Sequence, residues 1–329
     1  MAMSNMAMSN SDTLVTLFGG SGFLGRHVVQ ALAPDLWRMR VAVRRPDLAG
    51  HLQPLGRVGQ IHAVQANLRN AESVAAAVRD SAVVINLVGV LFERGKQSFE
   101  AVHVEGAATV ARAAAAQGAR LIHVSAIGAD PASSALYART KGEAERAVLA
   151  AAPDAVILRP SVIFGPDDAF FNKFAAMARI APALPLIGGG HTRFQPVFAG
   201  DVAAAVRKAV AGEATPGTVY ELGGPEVATF KELMRLVLDI TQRRRLLVPV
   251  PFFAAKLLGS VLKVLPTPPL TPDQVELLKT DNIVSEAATR ENRTLAGLGI
   301  AAHTMAAVVP SYLWRYRRTG QFKSRRSLA

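Results

Sequence analysis

A glycine turn set between a strand and a helix limits what this chain can fold into. The apolar run Thr13-Leu14-Val15-Thr16-Leu17-Phe18 leads straight into Gly19-Gly20-Ser21-Gly22-Phe23-Leu24-Gly25, and Arg26-His27-Val28-Val29-Gln30-Ala31-Leu32 then reads as a helix. Strand, glycine turn and helix N-terminus together make a site for a pyrophosphate, because unpaired backbone N–H groups and the helix dipole point at the same place. The early glycines permit the tight turn and a close backbone approach to the phosphates. Gly25 lets the helix pack tightly on the strand.

The pattern continues through the first half. Short apolar runs at 14–18, 40–43, 60–64, 83–87, 121–125 and 156–158 alternate with alanine-rich helical stretches at 22–32, 71–78, 98–117 and 135–151. This rhythm predicts an α/β chain with a doubly wound parallel sheet of the Rossmann kind, whose ligands lie at the carboxyl ends of the strands. After Arg159-Pro160 prolines and glycines break the rhythm. Strands are expected at 195–198 and 219–222, with helices at 201–210 and 229–240, the last with Thr229 as N-cap and Glu232 three residues on. The reading divides the chain into a disordered extension at 1–12, a dinucleotide-binding domain at 13–212 and a smaller C-terminal α/β docking region at 213–329.

The chain has 329 residues and no cysteine, which removes disulfides, thiolate chemistry and Cys-based metal sites. Its seven histidines are not spaced as metal ligands, so no metal is expected. No stretch reaches roughly 18 uninterrupted apolar residues, so a spanning helix is not expected. The net charge of +12 is uneven. Residues 310–329 contain Arg315, Arg317, Arg318, Lys323, Arg325 and Arg326 and no acid, which suits anionic lipid or an acidic partner. With no recognised nucleic-acid module beside it, nucleic acid is not expected. The stretch 252–265, opening on Phe252 and ending on Leu265, is almost wholly apolar, with Lys256 and Lys263 seven apart on one helical face. It is too short to span a bilayer, and pattern alone allows either a helix lying in the membrane surface or a buried helix of the C-terminal region.

Several positions carry chemistry. The second strand ends Val43-Arg44-Arg45. An acid there would receive the ribose hydroxyls of NAD, whereas a cation favours the 2′-phosphate of NADP. Arg44 and Arg45 therefore point to NADP(H), with NADPH the favoured form. Asn67-Leu68 follows the third strand, where an amide suits either an adenine edge or a turn. Leu87-Val88-Gly89 closes the fourth strand and offers backbone for a ribose to lie against. Tyr137 and Lys141 stand one helical turn apart, and a lysine beside a phenol favours phenolate, which makes the tyrosine a general acid/base.

With Gly19-x-x-Gly22-x-x-Gly25, Asn67-Leu68, Tyr137-x-x-x-Lys141, Arg159-Pro160-Ser161-Val162-Ile163-Phe164-Gly165-Pro166 and Pro196-Val197-Phe198-Ala199-Gly200-Asp201, the chain resembles an extended or atypical short-chain dehydrogenase/reductase over about residues 13–225. The resemblance implies cofactor contacts from Gly19, Ser21, Gly22, Phe23, Leu24, Tyr137 and Lys141, with Pro160 and Ile163 on the nicotinamide side. Active members carry a Ser or Thr just past the fifth strand. Here His123-Val124-Ser125-Ala126-Ile127 places Ile127 at that register, with Ser125 two residues short. Nucleotide binding is untouched by this departure, while turnover loses its usual hydroxyl.

Asn86-Leu87-Val88-Gly89-Val90-Leu91-Phe92, Phe99-Glu100-Ala101-Val102-His103-Val104-Glu105-Gly106 and Leu270-Thr271-Pro272-Asp273-Gln274-Val275-Glu276-Leu277-Leu278-Lys279-Thr280-Asp281-Asn282 narrow the likeness. They resemble the accessory-subunit family of respiratory complex I (NADH:ubiquinone oxidoreductase) typified by subunit 9 of its alpha subcomplex. That resemblance implies tightly held NADPH in a structural role and other complex I subunits as partners. It also implies a seat on the peripheral arm near the quinone region. The protein would then be peripheral on the cytoplasmic face of a bacterial inner membrane, or on the matrix side in a mitochondrion. A soluble NAD(P)-dependent epimerase, dehydratase or reductase using Tyr137 and Lys141 is the alternative, and an NADP(H)-sensing regulator is a third.

Overall fold

A computed structural model describes residues 10–265 and 268–320. The strands are β1 (Leu14–Phe18), β2 (Arg38–Val43), β3 (Ile61–Gln65), β4 (Val83–Asn86), β5 (Arg120–Val124), β6 (Val156–Pro160), β7 (Ile163–Phe164), β8 (Ala183–Ile187), β9 (Arg193–Phe194), β10 (Val197–Phe198), β11 (Val219–Leu222), β12 (Ala228–Thr229) and β13 (Leu246–Val250). The principal helices are α1 (Phe23–Leu32), α2 (Ala71–Val78), α3 (Glu105–Ala116), α4 (Leu136–Ala151), α5 (Phe171–Ile180), α6 (Ala199–Ala211), α7 (Phe230–Thr241), α8 (Phe252–Leu262) and α9 (Pro272–Leu277). A π-helical turn, Glu100–Val104, precedes α3, so the single helix expected at 98–117 is broken near its start. Asn10–Asp12 form a 3-10 turn, so the extension expected to be disordered at 1–12 has structure over its last three residues, and residues 1–9 lie outside the described residues.

The chain forms two compact units, neither continuous in sequence. One runs to Ser125 and takes in Thr140–Leu158 and Ala203–Val219. The other takes Ala126–Arg139, Arg159–Val202 and the chain from Tyr220 onward.

A seven-stranded sheet has the order β11-β6-β5-β4-β1-β2-β3. Pairing is parallel from β3 through β2, β1, β4 and β5 to β6. Parallel strands need crossovers, and the alanine-rich helices supply them. Every residue of β1 and β4 is buried, as a strand covered on both faces requires. Strand order reverses between β1 and β4, which puts the ligand crevice of such a fold at the carboxyl ends of those two strands. The core on the α3 side joins Phe18, Val84 and Leu121 to Ala107, Val110, Ala111 and Ala114. Small side chains on α3 let it lie close to the sheet.

The second unit has a phenylalanine-rich core: Phe164, Phe171, Phe194 and Phe230 pack with Leu184, Leu233 and Val237. Most of its ring pairs meet edge-on or tilted, as the aromatic quadrupole favours. Helix α7 opens with the capping box its sequence predicts, the Thr229 side chain accepting from the Glu232 N–H at 3.2 Å and Glu232 accepting from the Thr229 N–H at 2.7 Å. Small parallel pairs, β8 with β13 and β7 with β10, add to this unit.

Helix α8 resolves the alternatives that its pattern left open. Only Ala255 and Gly259 are buried, and a Cβ on Gly259 would stand 3.0 Å from the Pro272 nitrogen, so this narrow face seats against the start of α9. The large side chains point the other way. Phe253 is 79 % exposed, Leu257 70 % and Val261 65 %, and Val264, just past the helix, 87 %. At about 3.6 residues per turn, these with Leu258 and Leu265 span an arc of roughly 140°, with Lys256, Ser260 and Lys263 along one edge. A wholly buried helix is therefore excluded. Among the described residues no helix is long and apolar enough to cross a membrane. Of the basic tail, Arg315, Arg317 and Arg318 are described, whereas Lys323, Arg325 and Arg326 lie outside the described residues.

Candidate functional site

The glycine turn occupies the switch point. Gly19 has φ +80°, a conformation that side chains bearing a Cβ rarely adopt, and a Cβ there would also meet Val88 Cγ2 at 3.1 Å. The turn and the end of β4 thus lie side by side. Gly25, in the first turn of α1, faces the carbonyl of Gly19 so closely that a Cβ would come within 2.4 Å of it. The N-cap of α1 is Gly22, which supplies no side chain to close the helix N-terminus, and Phe23 and Leu24 begin the helix. The fit to a pyrophosphate is one of shape and charge: bare backbone, a positive φ at the turn and a helix aimed outward.

Arg44 and Arg45, just past β2, part company. Arg45 is committed to Asp47, with Nη2 2.7 Å from Oδ2 and Nε 3.0 Å from Oδ1. Arg44 makes a neutral contact, Nη1 donating to the Gln97 amide oxygen at 2.9 Å. Its charge is not neutralised by that contact. Asn67 takes the turn role, its Oδ1 accepting from the Arg69 N–H at 3.2 Å, while Leu68 is buried under Gly106.

The loop after β4 is pinned by side chains that sequence reasoning did not assign. Asn86 Oδ1 accepts from the Val88 N–H at 3.1 Å, and its Nδ2 donates to His123 Nδ1 at 3.3 Å. His103 Nε2 accepts from the Val90 N–H at 3.1 Å, which leaves Nδ1 to donate to Thr140 Oγ1 at 3.2 Å. Leu87, Val88 and Gly89 are therefore held from below by Asn86 and His103. The histidine lay within the Phe99-to-Gly106 phrase, but a single imidazole without a partner in sequence carries no chemical signal.

Lys141, on α4, is 4 % exposed and donates to the Val124 carbonyl at 3.2 Å. Its ammonium has three protons, so donors remain without a protein acceptor among the described residues. A Cβ on Gly89 would lie 3.4 Å from Lys141 Nζ and 3.8 Å from His103 Nε2, so the absent side chain at 89 leaves the ammonium open to that loop. Such a donor suits the hydroxyls of a sugar. Burial holds the Lys141 ammonium down to about 8, with Glu145 opposing. Burial, and then the Lys141 charge, push His103 and His123 down to about 3, so both rings are neutral at physiological pH. His123 Nε2 and Ser125 Oγ are buried with no protein partner among the described residues.

In the second unit α4 begins with Leu136 and Tyr137, whose N–H groups both donate to Asp273 of α9, at 2.6 Å to Oδ1 and 3.0 Å to Oδ2. The expectation that the neighbouring lysine draws this phenol toward phenolate meets an opposing balance. Burial first, and the Asp273 charge second, push Tyr137 up to about 12. By register with the family, Ile127 takes the place of the catalytic hydroxyl. Its N–H donates to the Pro160 carbonyl at 3.0 Å and its carbonyl accepts from Asn282 Nδ2 at 3.2 Å. Asn282 Oδ1 accepts from the Ser161 hydroxyl at 2.6 Å. Pro160 closes β6 and Ile163 opens β7. The C-terminal phrase from Leu270 to Asn282 thus has a structural meaning: Asp273 caps α4, and Asn282 ties Ile127 to Ser161.

Residues 15–223 match the NAD dependent epimerase/dehydratase family. The chain is 36 % identical to the Arabidopsis thaliana mitochondrial NADH dehydrogenase [ubiquinone] 1 alpha subcomplex subunit 9, over 95 % of this chain and 80 % of that one. It is 32 % identical to the 40 kDa subunit of the Neurospora crassa NADH-ubiquinone oxidoreductase, over 93 % and 80 %. A ceramide reductase of Caulobacter vibrioides is 37 % identical over 53 % of this chain and 54 % of its own. Among solved structures, an Escherichia coli NADPH-dependent quinone oxidoreductase complexed with NADPH superposes with a TM-score of 0.70 at 20 % identity, covering 91 % of this chain and 99 % of that one. At that identity the likeness is one of fold.

Proposed function

Because this chain belongs to the NAD dependent epimerase/dehydratase family, we propose that it is an NADP(H)-binding accessory subunit of a membrane-bound respiratory NADH:ubiquinone oxidoreductase, with the nucleotide structural rather than turned over. The carrying observation is a dinucleotide cradle, intact at Gly19, Gly22 and Gly25, combined with Ile127 in place of the catalytic hydroxyl. The relatives that span most of this chain are named as subunits of such an oxidoreductase, which supports the same reading.

In this reading residues 13–212 hold the nucleotide and residues 213–329 dock. The backbone at Gly19–Gly25 takes the pyrophosphate, with Ser21, Phe23 and Leu24 alongside. Arg44 takes the 2′-phosphate, because it carries the charge that Arg45 shares with Asp47. Asn67 and Leu68 border the adenine, Leu87, Val88 and Gly89 the ribose, and Pro160 and Ile163 the nicotinamide. Lys141 supplies N–H donors to the ribose hydroxyls, and Tyr137, held protonated, donates beside it. A bound nicotinamide would supply hydride chemistry, and the chain's own contribution is to bind and orient it. A ligand that binds only the folded state stabilises that state by mass action, which is how a nucleotide serves assembly. Helix α8 is suited to the membrane surface on the peripheral, cytoplasmic or matrix side, near the quinone site.

The test is a native pull-down from gently solubilised membranes, with the bound nucleotide released and identified. Co-purified oxidoreductase subunits with near-stoichiometric NADP(H) are expected. A free oligomer with loosely held cofactor overturns the reading.

One observation favours a second reading. The Tyr137 and Lys141 pair persists, and half of the chain resembles a ceramide reductase. A reductase acting on a carbonyl of a membrane lipid would use this pair and α8 together, and would lose turnover in Tyr137→Phe.

A further inference from the structure

The first turn of α4 is gripped by one carboxylate. Asp273 accepts from two successive backbone amides, Leu136 at 2.6 Å and Tyr137 at 3.0 Å, one to each oxygen. Asp273 is itself fixed in position. It lies in the first turn of α9, directly after Pro272, in a helix whose N-cap Thr271 accepts from the Gln274 N–H at 3.2 Å. A helix N-terminus carries partial positive charge that favours an anion close by, a phenolate included. At α4 the carboxylate of Asp273 already occupies that place.

We propose that Asp273 is a positioning residue for Tyr137: by capping α4 at Leu136 and Tyr137 with a fixed negative charge, it keeps the phenol a protonated hydrogen-bond donor. The charged groups around this turn support the assignment. From α9, Glu276 accepts from the Ser134 hydroxyl at 3.2 Å, but its charge is shared with Lys279 at 2.9 Å and Lys256 at 3.8 Å. Arg139 turns back to the Ser133 carbonyl at 3.3 Å. Lys141 is one turn further along α4 and is itself held down to about 8, so its pull toward phenolate weakens in the range where a phenol titrates. Among the described residues no cationic side chain pairs with Asp273, whose two oxygens both meet backbone N–H groups at the start of α4. The phenol is pushed up to about 12 by burial and by the Asp273 charge. The inference goes beyond the accessory-subunit reading, because a donor-only tyrosine follows from the cap whether or not the nucleotide is turned over.

The experiment reads Tyr137 ionisation directly in the full-length chain. The ring carbon bearing the hydroxyl is followed by NMR in protein with labelled tyrosine, and Tyr137→Phe identifies the signal among the four tyrosines. At pH 10, the ordinary midpoint, an unperturbed phenol is half ionised, whereas a midpoint near 12 leaves about one in a hundred as phenolate. Wild type is expected to show almost none. Asp273→Asn, which keeps an acceptor and removes the charge, is expected to raise the phenolate fraction at that pH at least fivefold. Asp273→Glu is expected to stay near wild type. A wild-type phenol half ionised at pH 10 overturns the proposal, as does an Asp273→Asn signal identical to wild type. If Asp273→Asn does not fold, Asp273→Ser supplies a neutral cap for the same comparison.

Discussion

Asn282 donates its side-chain amide to the carbonyl of Ile127 at 3.2 Å, and its Oδ1 accepts from the Ser161 hydroxyl at 2.6 Å. An asparagine from the C-terminal phrase thus fixes the backbone where a catalytic hydroxyl is missing. Asn282→Ala strips both bonds from a partly buried site and is expected to cost about 1–3 kcal/mol of stability. Ser161→Ala acts on the same pair, so the double variant should fall short of the sum of the singles by at least about 0.5 kcal/mol. Urea unfolding of the four proteins checks this, and strict additivity would separate Asn282 from Ser161.

Arg44 and Arg45 are adjacent in sequence and unequal in the structure. Arg45 is paired with Asp47, and among the described residues Arg44 donates to a neutral amide. If Arg44 meets a 2′-phosphate, Arg44→Ala removes charge-assisted bonds worth about 1.5–3 kcal/mol. NADPH affinity should drop tenfold or more with little change for NADH, and Arg45→Ala should have a much smaller effect. Calorimetric titration of both nucleotides measures it, and equal losses for NADPH and NADH would remove Arg44 from the phosphate.

Much of this was legible in the residues because it depends on local rules. The turn at Gly19–Gly25 needs glycine for reasons of φ and contact, and the alternation of buried strands with alanine-rich helices dictates a parallel sheet. The capping box at Thr229 and Glu232 lies within four residues. What the sequence hid was long-range. Asp273 meets Tyr137 and Asn282 meets Ile127 across more than a hundred residues, and no local pattern announces a partner so far away. His103 was hidden because its role is to hold the Val90 N–H from beneath. The balance acting on the Tyr137 proton was hidden for a related reason. The neighbouring lysine is visible at i+4, whereas burial and a carboxylate from another helix are not. For α8, periodicity could not say which of two apolar faces is covered, and Ala255 and Gly259 decide that.

The outward face of α8 makes a prediction that separates binding from folding. Phe253 and Leu257 are 79 % and 70 % exposed, so replacing both with Asp should change stability by no more than about 0.5 kcal/mol per site. If the face lies on a bilayer, each side chain loses a transfer gain of about 1.5–3 kcal/mol. Binding to vesicles containing anionic phospholipid should then fall more than tenfold in co-sedimentation. Unchanged binding would assign this face to a protein partner.

Lys141 links the site to pH. Its folded value, about 8, lies below the ordinary 10.5 because burial penalises the ammonium. Between these values the unfolded chain holds more protons than the folded one, so folding stability rises with pH across that window. Below pH 8 both states are protonated and the full penalty, on the order of 3 kcal/mol, is present. Lys141→Met removes the charge while keeping the stem, so at pH 7 it should be more stable than wild type by up to that amount. Its advantage should shrink as pH climbs from 8 toward 10. Above 10 Tyr137 opposes the trend, since a phenol raised to about 12 in the folded state makes stability fall as pH rises from 10 to 12. His103 and His123, held at about 3, act at the other end: stability rises from about pH 3 to 6.5 and is lost on acidification, because protonating either ring places a charge in a buried site. Urea unfolding from pH 3 to pH 12 tests all of this in wild type and Lys141→Met. A wild-type curve flat between pH 8 and 10, parallel to that of the variant, would mean that the ammonium is solvated and not buried beneath Gly89.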